Sequence, residues 1–376
     1  MRERLEFQAD RIEAVLSMHK VSARVTGGTV TPRWIRFQVL PALGAKISRI
    51  KGLKEELAAA LDAANCRVSR RGAAIAVEVP RDDPLPVRLL PLYRQLCTED
   101  DVIPPITAIL GLADDGAPLL IRLPSPDVAH ILVAGTTGSG KTVLMQTMIL
   151  SLAMTNPAPS PFQANGSGSG LRLVLIDPKA HAFAPFDPLP HLARHVISDA
   201  DETVEALNSL VHLMERSGPA PPPPSTPRTL GFLDEVADLL PVGGAPLPQA
   251  LTRLTQRGRE AGIHLVAATQ KPSAKVLGPL IKANFPVRLV GRVTSASDAR
   301  VASGWSGTGA ERLMGRGDFI ALAEGRVTRF QAAHIARQEI EQVVAHLTQH
   351  QAVAPAAPAG LARPVARMTD MLKGAA

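Results

Sequence analysis

Thiols are nearly absent from this chain. Its two cysteines, Cys66 and Cys97, fit no zinc-ligand spacing and are too few for a disulfide framework. That excludes a small disulfide-stapled secreted scaffold and reads as two reduced thiols in a cytoplasmic protein. Long apolar runs are missing too, since nothing approaches the roughly 18–20 residues of a membrane span. The charged start Met1-Arg2-Glu3-Arg4-Leu5-Glu6 has no apolar centre of the kind a signal peptide carries. The expectation is a chain without a membrane segment, and the sequence holds no internal repeat.

Apolar side chains make up 45% of the 376 residues. That is enough for a substantial core and, at about 100–200 residues per domain, for two or three domains. Disorder throughout is excluded. The net charge is +7 and the pI about 9.8. A basic balance of this size favours a polyanionic partner such as nucleic acid, although a mildly basic surface would give the same number.

The most informative stretch is His130-Ile131-Leu132-Val133-Ala134-Gly135-Thr136-Thr137-Gly138-Ser139-Gly140-Lys141-Thr142. A short apolar strand runs into a glycine-rich loop and then into the apolar helix Val143–Leu150. Gly135, Gly140, Lys141 and Thr142 fit G-x-x-x-x-G-K-[ST]. In that pattern the backbone N–H groups of Gly135, Thr136, Thr137, Gly138, Ser139 and Gly140 wrap phosphate oxygens, and Lys141 reaches the β and γ phosphates. Thr142 ligates Mg²⁺. The site is one for a nucleoside triphosphate, with ATP and Mg²⁺ expected. Further on, Thr229-Leu230-Gly231-Phe232-Leu233-Asp234-Glu235 is an apolar strand ending in two acids. It reads as the Walker B partner of the loop. Asp234 would hold the metal through water, and Glu235 would orient or deprotonate the attacking water.

Around these motifs the chain divides. Residues 1–100 read as a small α+β module with a connector. The module has a helix over 5–19, strands near 22–28 and 34–40, a helix over 48–64 and a strand over 73–80. Arg81–Ile106, rich in proline and without a clear period, is the connector. Residues 101–337 alternate strands and helices, as a parallel sheet wrapped by helices requires. Within them Arg316–Leu322 and Arg326–Gln331 read as a hairpin about Glu324-Gly325. Residues 338–376 read as a helix to about Gln351 followed by a disordered Ala/Pro tail.

In these segments the chain resembles the motors of FtsK/SpoIIIE-type double-stranded DNA translocases, over roughly Ile12–Ala333. The matching pieces include Ile176-Asp177-Pro178-Lys179, Leu233–Leu239, Arg257–Leu265, Ala268–Ser273, Leu280–Asn284 and Gly309–Asp318. The resemblance implies a RecA-like P-loop ATPase core preceded by the family's α domain, assembled as a homo-hexamer around double-stranded DNA. It implies that Arg259 is an arginine finger acting on the neighbouring subunit's nucleotide, the alternative being a solvated charge beside Arg253 and Arg257. It implies that Gln270 senses the γ-phosphate, and that Lys271 and Arg300, on two pore-facing loops, contact DNA phosphates. The sequence departs from the family at Ala296, where a basic residue is usual. It departs again in the slightly longer segment Gly304-Trp305-Ser306-Gly307-Thr308.

Neither membrane helices nor a winged-helix module is expected in this chain. That would suit a sequence-independent translocase of a mobile element, plasmid or phage. Two other readings stay open: a conjugation-coupling or DNA-packaging ATPase on the same fold, and a non-motor adaptor that binds ATP and DNA without DNA-stimulated hydrolysis.

Overall fold

A computed structural model describes residues 2–352, apart from 33, 64, 98–102, 160–169, 218–226, 271 and 273–283. The chain forms two compact units, Met1–Pro86 with Asp114–Gly116, and Val87–Ala113 with Ala117–Ala376. No described helix is long and apolar enough to cross a membrane. The tail expected to be disordered lies outside the described residues.

In the first unit, strands β1 (Ala23–Val30), β2 (Trp34–Pro41), β3 (Arg67–Arg71) and β4 (Ala74–Pro80) form an antiparallel sheet in the order β1-β2-β4-β3. Helices Arg2–Met18, Ile47–Gly52 and Lys54–Ala60 cover one face. Alternation dictates this. Ile35, Phe37 and Val39 of β2 and Ile75, Val77 and Val79 of β4 share a core with Ile12, Leu16, Ile50 and Leu57. Of the intervening residues Arg36 and Glu78 carry charge, and Arg36 Nε donates to Glu78 Oε1 at 2.8 Å. Trp34 opens β2 with the Arg67 guanidinium 5.5 Å from its ring.

The second unit begins with a helix that sequence reading placed inside the connector. Leu89–Leu96 is helical, with Leu89, Leu92 and Tyr93 buried at i, i+3 and i+4. Pro91 is tolerated in the first turn, where an N–H has no intrahelical partner. Nine strands follow: β5 (Thr107–Ala113), β6 (Pro118–Arg122), β7 (Ile131–Ala134), β8 (Leu171–Ile176), β9 (Arg228–Leu233), β10 (Ile263–Thr269), β11 (Val287–Val290), β12 (Asp318–Ala323) and β13 (Arg326–Ala332). They form one sheet in the order β6-β5-β13-β12-β11-β7-β10-β9-β8.

The expected parallel sheet is present in the five strands from β11 to β8, and antiparallel pairing of β12, β13, β5 and β6 extends it. The Glu324-Gly325 turn, with φ of 49° and 72°, allows β12 and β13 only the antiparallel arrangement.

The parallel strands are apolar throughout because both faces are covered. Ile131 and Val133 of β7 join the core shared with helices Lys141–Thr155 and Arg337–Ala352. Leu132 joins the opposite core, with helices Ala200–Arg216 and Pro246–Arg257. Asp199 caps the 200–216 helix, its Oδ1 accepting from the N–H groups of Asp201 at 2.8 Å and Glu202 at 3.1 Å. The chain's second tryptophan, Trp305, lies in this unit after the helix Ala296–Ser303 and is 43% exposed.

Candidate nucleotide site

Parallel pairing brings three strand ends together. Thr269 of β10 is level with Ala134 of β7, and Ala267 with Leu233 of β9. The residues that follow those strands, Gly135, Gln270 and Asp234, therefore meet at one end of the sheet, where the helix beginning at Lys141 presents its N-terminus. Gly140 precedes that helix at a φ of 100°, and a Cβ there would sit 2.8 Å from the Gly317 nitrogen, so only glycine fits.

Lys141 is buried, and its Nζ donates to Gly135 O at 2.7 Å and Thr136 O at 3.3 Å. Burial holds its ammonium pKa below the ordinary value, with the charges of Glu235 and Asp234 opposing. Thr142 is half-buried in the first helical turn, and the buried Ser139 hydroxyl has no protein partner among the described residues.

The acidic side of the site is crowded. Burial, then the charges of Asp177 and Glu235, push the Asp234 carboxyl up to about 6, against the pull of Lys141 and Lys179. Glu235, at the left-handed φ of 57°, aims its carboxylate at the end of β10. There it accepts from Thr269 Oγ1 at 3.1 Å and from the Gln270 N–H at 2.9 and 3.1 Å. Gln270 Oε1 in turn accepts from Thr137 Oγ1 at 2.7 Å. Gln270 thus joins Glu235, through its backbone N–H, to the phosphate loop, through its side chain.

Gly135–Thr142, Asp234, Glu235 and Gln270 are thereby gathered into one place. Arg259 is not among them. It is exposed on the short 3-10 turn Gly258–Ala261 before β10, at the opposite end of that seven-residue strand and so about 20 Å of strand away from Gln270. Beside it two buried rings are held neutral. His130 Nδ1 accepts from the Leu265 N–H at 3.0 Å, and His264 Nδ1 donates to Ala129 O at 2.8 Å. Burial pushes their pKa values down to about 3 and about 4. Arg300, expected on a loop, is instead exposed on the helix Ala296–Ser303, which the N-cap Ser295 starts by accepting from the Asp298 N–H at 3.1 Å. Lys271 lies outside the described residues.

Sequence reading assigned no role to several residues that brace the site. Asp177, fully buried after β8, accepts from the N–H groups of Lys179, Ala182 and Phe183 at 3.1, 2.7 and 3.1 Å. It holds the turn they form, and its own charge crowds Asp234. Thr136 N donates to Arg292 O at 2.8 Å, and the N–H groups of Arg316 and Gly317 donate to Gly138 O at 2.9 Å and Ser139 O at 2.8 Å. The glycines at 315 and 317 were visible in the sequence, within the matching piece Gly309–Asp318, but with no role toward the loop.

Residues 1–81 match the FtsK alpha domain and residues 104–218 match the FtsK/SpoIIIE family. The chain is 31% identical over 376 residues to a DNA translocase FtsK of Sporosarcina ureae, covering 92% of this chain and 46% of that protein. It is 32% identical over 367 residues to the DNA translocase SftA of Bacillus subtilis, covering 91% and 37%. The chain thus spans less than half the length of these relatives. Among solved structures it superposes on the pCW3 conjugation coupling protein TcpA, monomer form with ATPgS, with a TM-score of 0.58 at 17% identity, covering 92% of this chain and 99% of that one. At that identity the likeness shows a shared fold.

Proposed function

Because the chain belongs to the FtsK/SpoIIIE family, we propose that it hydrolyses ATP to move double-stranded DNA through a homo-hexameric ring, with little dependence on base sequence. The observation that carries this reading is the meeting of Lys141, Asp234, Glu235 and Gln270 at one end of the sheet, on a chain whose curated relatives are named DNA translocases.

On this reading the loop N–H groups and Lys141 hold the β and γ phosphates. Lys141 exchanges its bonds to Gly135 O and Thr136 O for phosphate oxygens. Glu235 orients a water for in-line attack on the γ-phosphorus and accepts its proton, as the bond from that phosphorus to the β–γ bridging oxygen breaks and leaves ADP. Thr269 Oγ1 and the Gln270 N–H fix the carboxylate that does this. The Thr142 hydroxyl and the Asp234 carboxylate are the groups that would hold Mg²⁺, which when bound neutralises charge on the phosphates. The donor set suits a cation, because the buried Asp234 carboxylate lies within the negative field of Asp177 and Glu235.

Arg259 cannot reach this site from its own end of β10, so a role at a γ-phosphate has to be played on a neighbouring copy. That is what a shared ring interface supplies. Arg300 and Lys271 contact DNA phosphates, in keeping with the net charge of +7. Displacement of a third strand from linear duplex DNA tests the reading. Displacement that requires hydrolysable ATP supports translocation, whereas tight DNA binding without displacement would leave only an adaptor.

A further inference from the structure

We propose that Asp318 is a positioning residue for the nucleotide loop, acting through the turn Gly315-Arg316-Gly317 as a latch on its backbone. The proposal rests on the nucleotide-binding reading above and extends it to the antiparallel half of the sheet.

The turn is held in a conformation that side chains disfavour. Gly315, Arg316 and Gly317 have φ of 75°, 51° and 89°, and a non-glycine residue such as Arg316 persists there only where its surroundings dictate it. Those surroundings come from β12 and β13. Asp318 is buried, and its Oδ2 accepts from the Met314 N–H at 2.8 Å. Arg329 Nε donates to Asp318 Oδ1 at 2.6 Å, and a second guanidinium nitrogen donates to Oδ2 in a two-pronged pair.

The three carbonyls of the turn are also engaged. Gly315 O accepts from Asp318 N at 3.1 Å, Arg316 O from Gln331 Nε2 at 3.0 Å, and Gly317 O from Ala332 N at 2.7 Å. The N–H groups of Arg316 and Gly317 then project onto Gly138 O and Ser139 O. Two consecutive carbonyls of the phosphate loop are thereby turned away from the face on which its N–H groups gather phosphate. Gly140 packs against the same turn so closely that a Cβ would lie 2.8 Å from the Gly317 nitrogen. The loop is thus preorganised from a strand pair far along the chain, and that preorganisation lowers the cost of ordering it around a ligand.

The test uses the full chain and ADP, so that hydrolysis does not enter. Asp318→Asn keeps the side-chain volume but breaks the charged pair. ADP should bind about tenfold more weakly by calorimetry, about 1.4 kcal/mol, and the Arg316 and Gly317 amides should exchange hydrogen faster in the native state. Val343→Ala, in the C-terminal helix, serves as a control that lowers the melting temperature without touching the turn, and it should retain wild-type affinity. If Asp318→Asn does not fold, Gln331→Ala, at a half-buried position, should weaken ADP in the same direction by a smaller factor. Unchanged affinity and unchanged exchange in the folded variant would overturn the latch, as would an equal loss in Val343→Ala. A wild-type chain that binds no ADP would overturn the nucleotide reading itself, and the latch with it.

Discussion

Lys141 and Glu235 should fail in different ways when replaced. Lys141→Ala removes the proposed phosphate contact and a buried charge, so ATP affinity should be lost along with turnover. Glu235→Gln keeps the shape of the carboxylate and an oxygen able to accept from Thr269 Oγ1 and the Gln270 N–H, so ATP should still bind while hydrolysis falls by two orders of magnitude or more, on the order of a lost general base. Equilibrium binding of ATP beside steady-state turnover separates the two, and equal loss of affinity in both would remove Glu235 from the role given to it. These residues were readable because their motifs are contiguous: Lys141 follows its glycines directly and Glu235 ends its own strand. Asp177 and Asp318 were not readable in the same way. Asp177 earns its place through a charge effect on Asp234, and Asp318 through a turn that touches Gly138, both across long stretches of chain. No local spacing records such contacts.

At the scale of elements, buried neutral histidines tie stability to pH. His130 precedes β7, His264 is the second residue of β10, and His191 bonds Asn156 O at 2.8 Å; all three are buried. Burial pushes their pKa values down to about 3, about 4 and about 4. A histidine with a lowered folded pKa stays neutral in the fold but gains a proton when the chain unfolds. Its contribution is therefore complete above the ordinary value of 6.5 and lost as pH falls from there toward the folded value. Each ring should cost the fold about 1.4 kcal/mol per pH unit across that window. The melting temperature should drop steadily from pH 7 to pH 5, and His191→Gln should flatten the slope by one proton. An unchanged slope would mean that this ring is not held neutral. Continuous apolar runs, such as the helix Lys141–Thr155 behind its glycine-rich loop and the short strand β8, were legible from the sequence alone. The helix Leu89–Leu96 was not, because eight residues give barely two turns and the surrounding prolines break the period. The antiparallel extension escaped for a different reason: strand order is decided by partners distant in sequence, and of those pairings only the tight turn at Glu324-Gly325 announced itself.

For the whole molecule, Arg259 and Gln270 at opposite ends of β10 set up a test of shared sites. Arg259→Ala and Glu235→Gln chains should each be inactive alone. Mixed before assembly, some interfaces will pair an intact Glu235 with an intact Arg259, and ATPase activity should return. A finger is worth about a thousandfold or more in rate, so even a minority of restored interfaces would stand above background. Substantial turnover by the Arg259→Ala chain alone, with DNA saturating, would show a solvated surface charge and move attention to Arg257. The chain's two tryptophans carry another consequence at this scale. Trp34 sits in the first compact unit beneath the Arg67 guanidinium and Trp305, partly open to solvent, in the second. The single tyrosine, Tyr93, is buried in the second unit. Excited at the red edge of indole absorption, the protein therefore carries one intrinsic fluorophore per unit. Trp34→Phe and Trp305→Phe would each leave a label-free reporter of a single unit, so that denaturant curves recorded on the two variants read directly whether the units melt as one or apart.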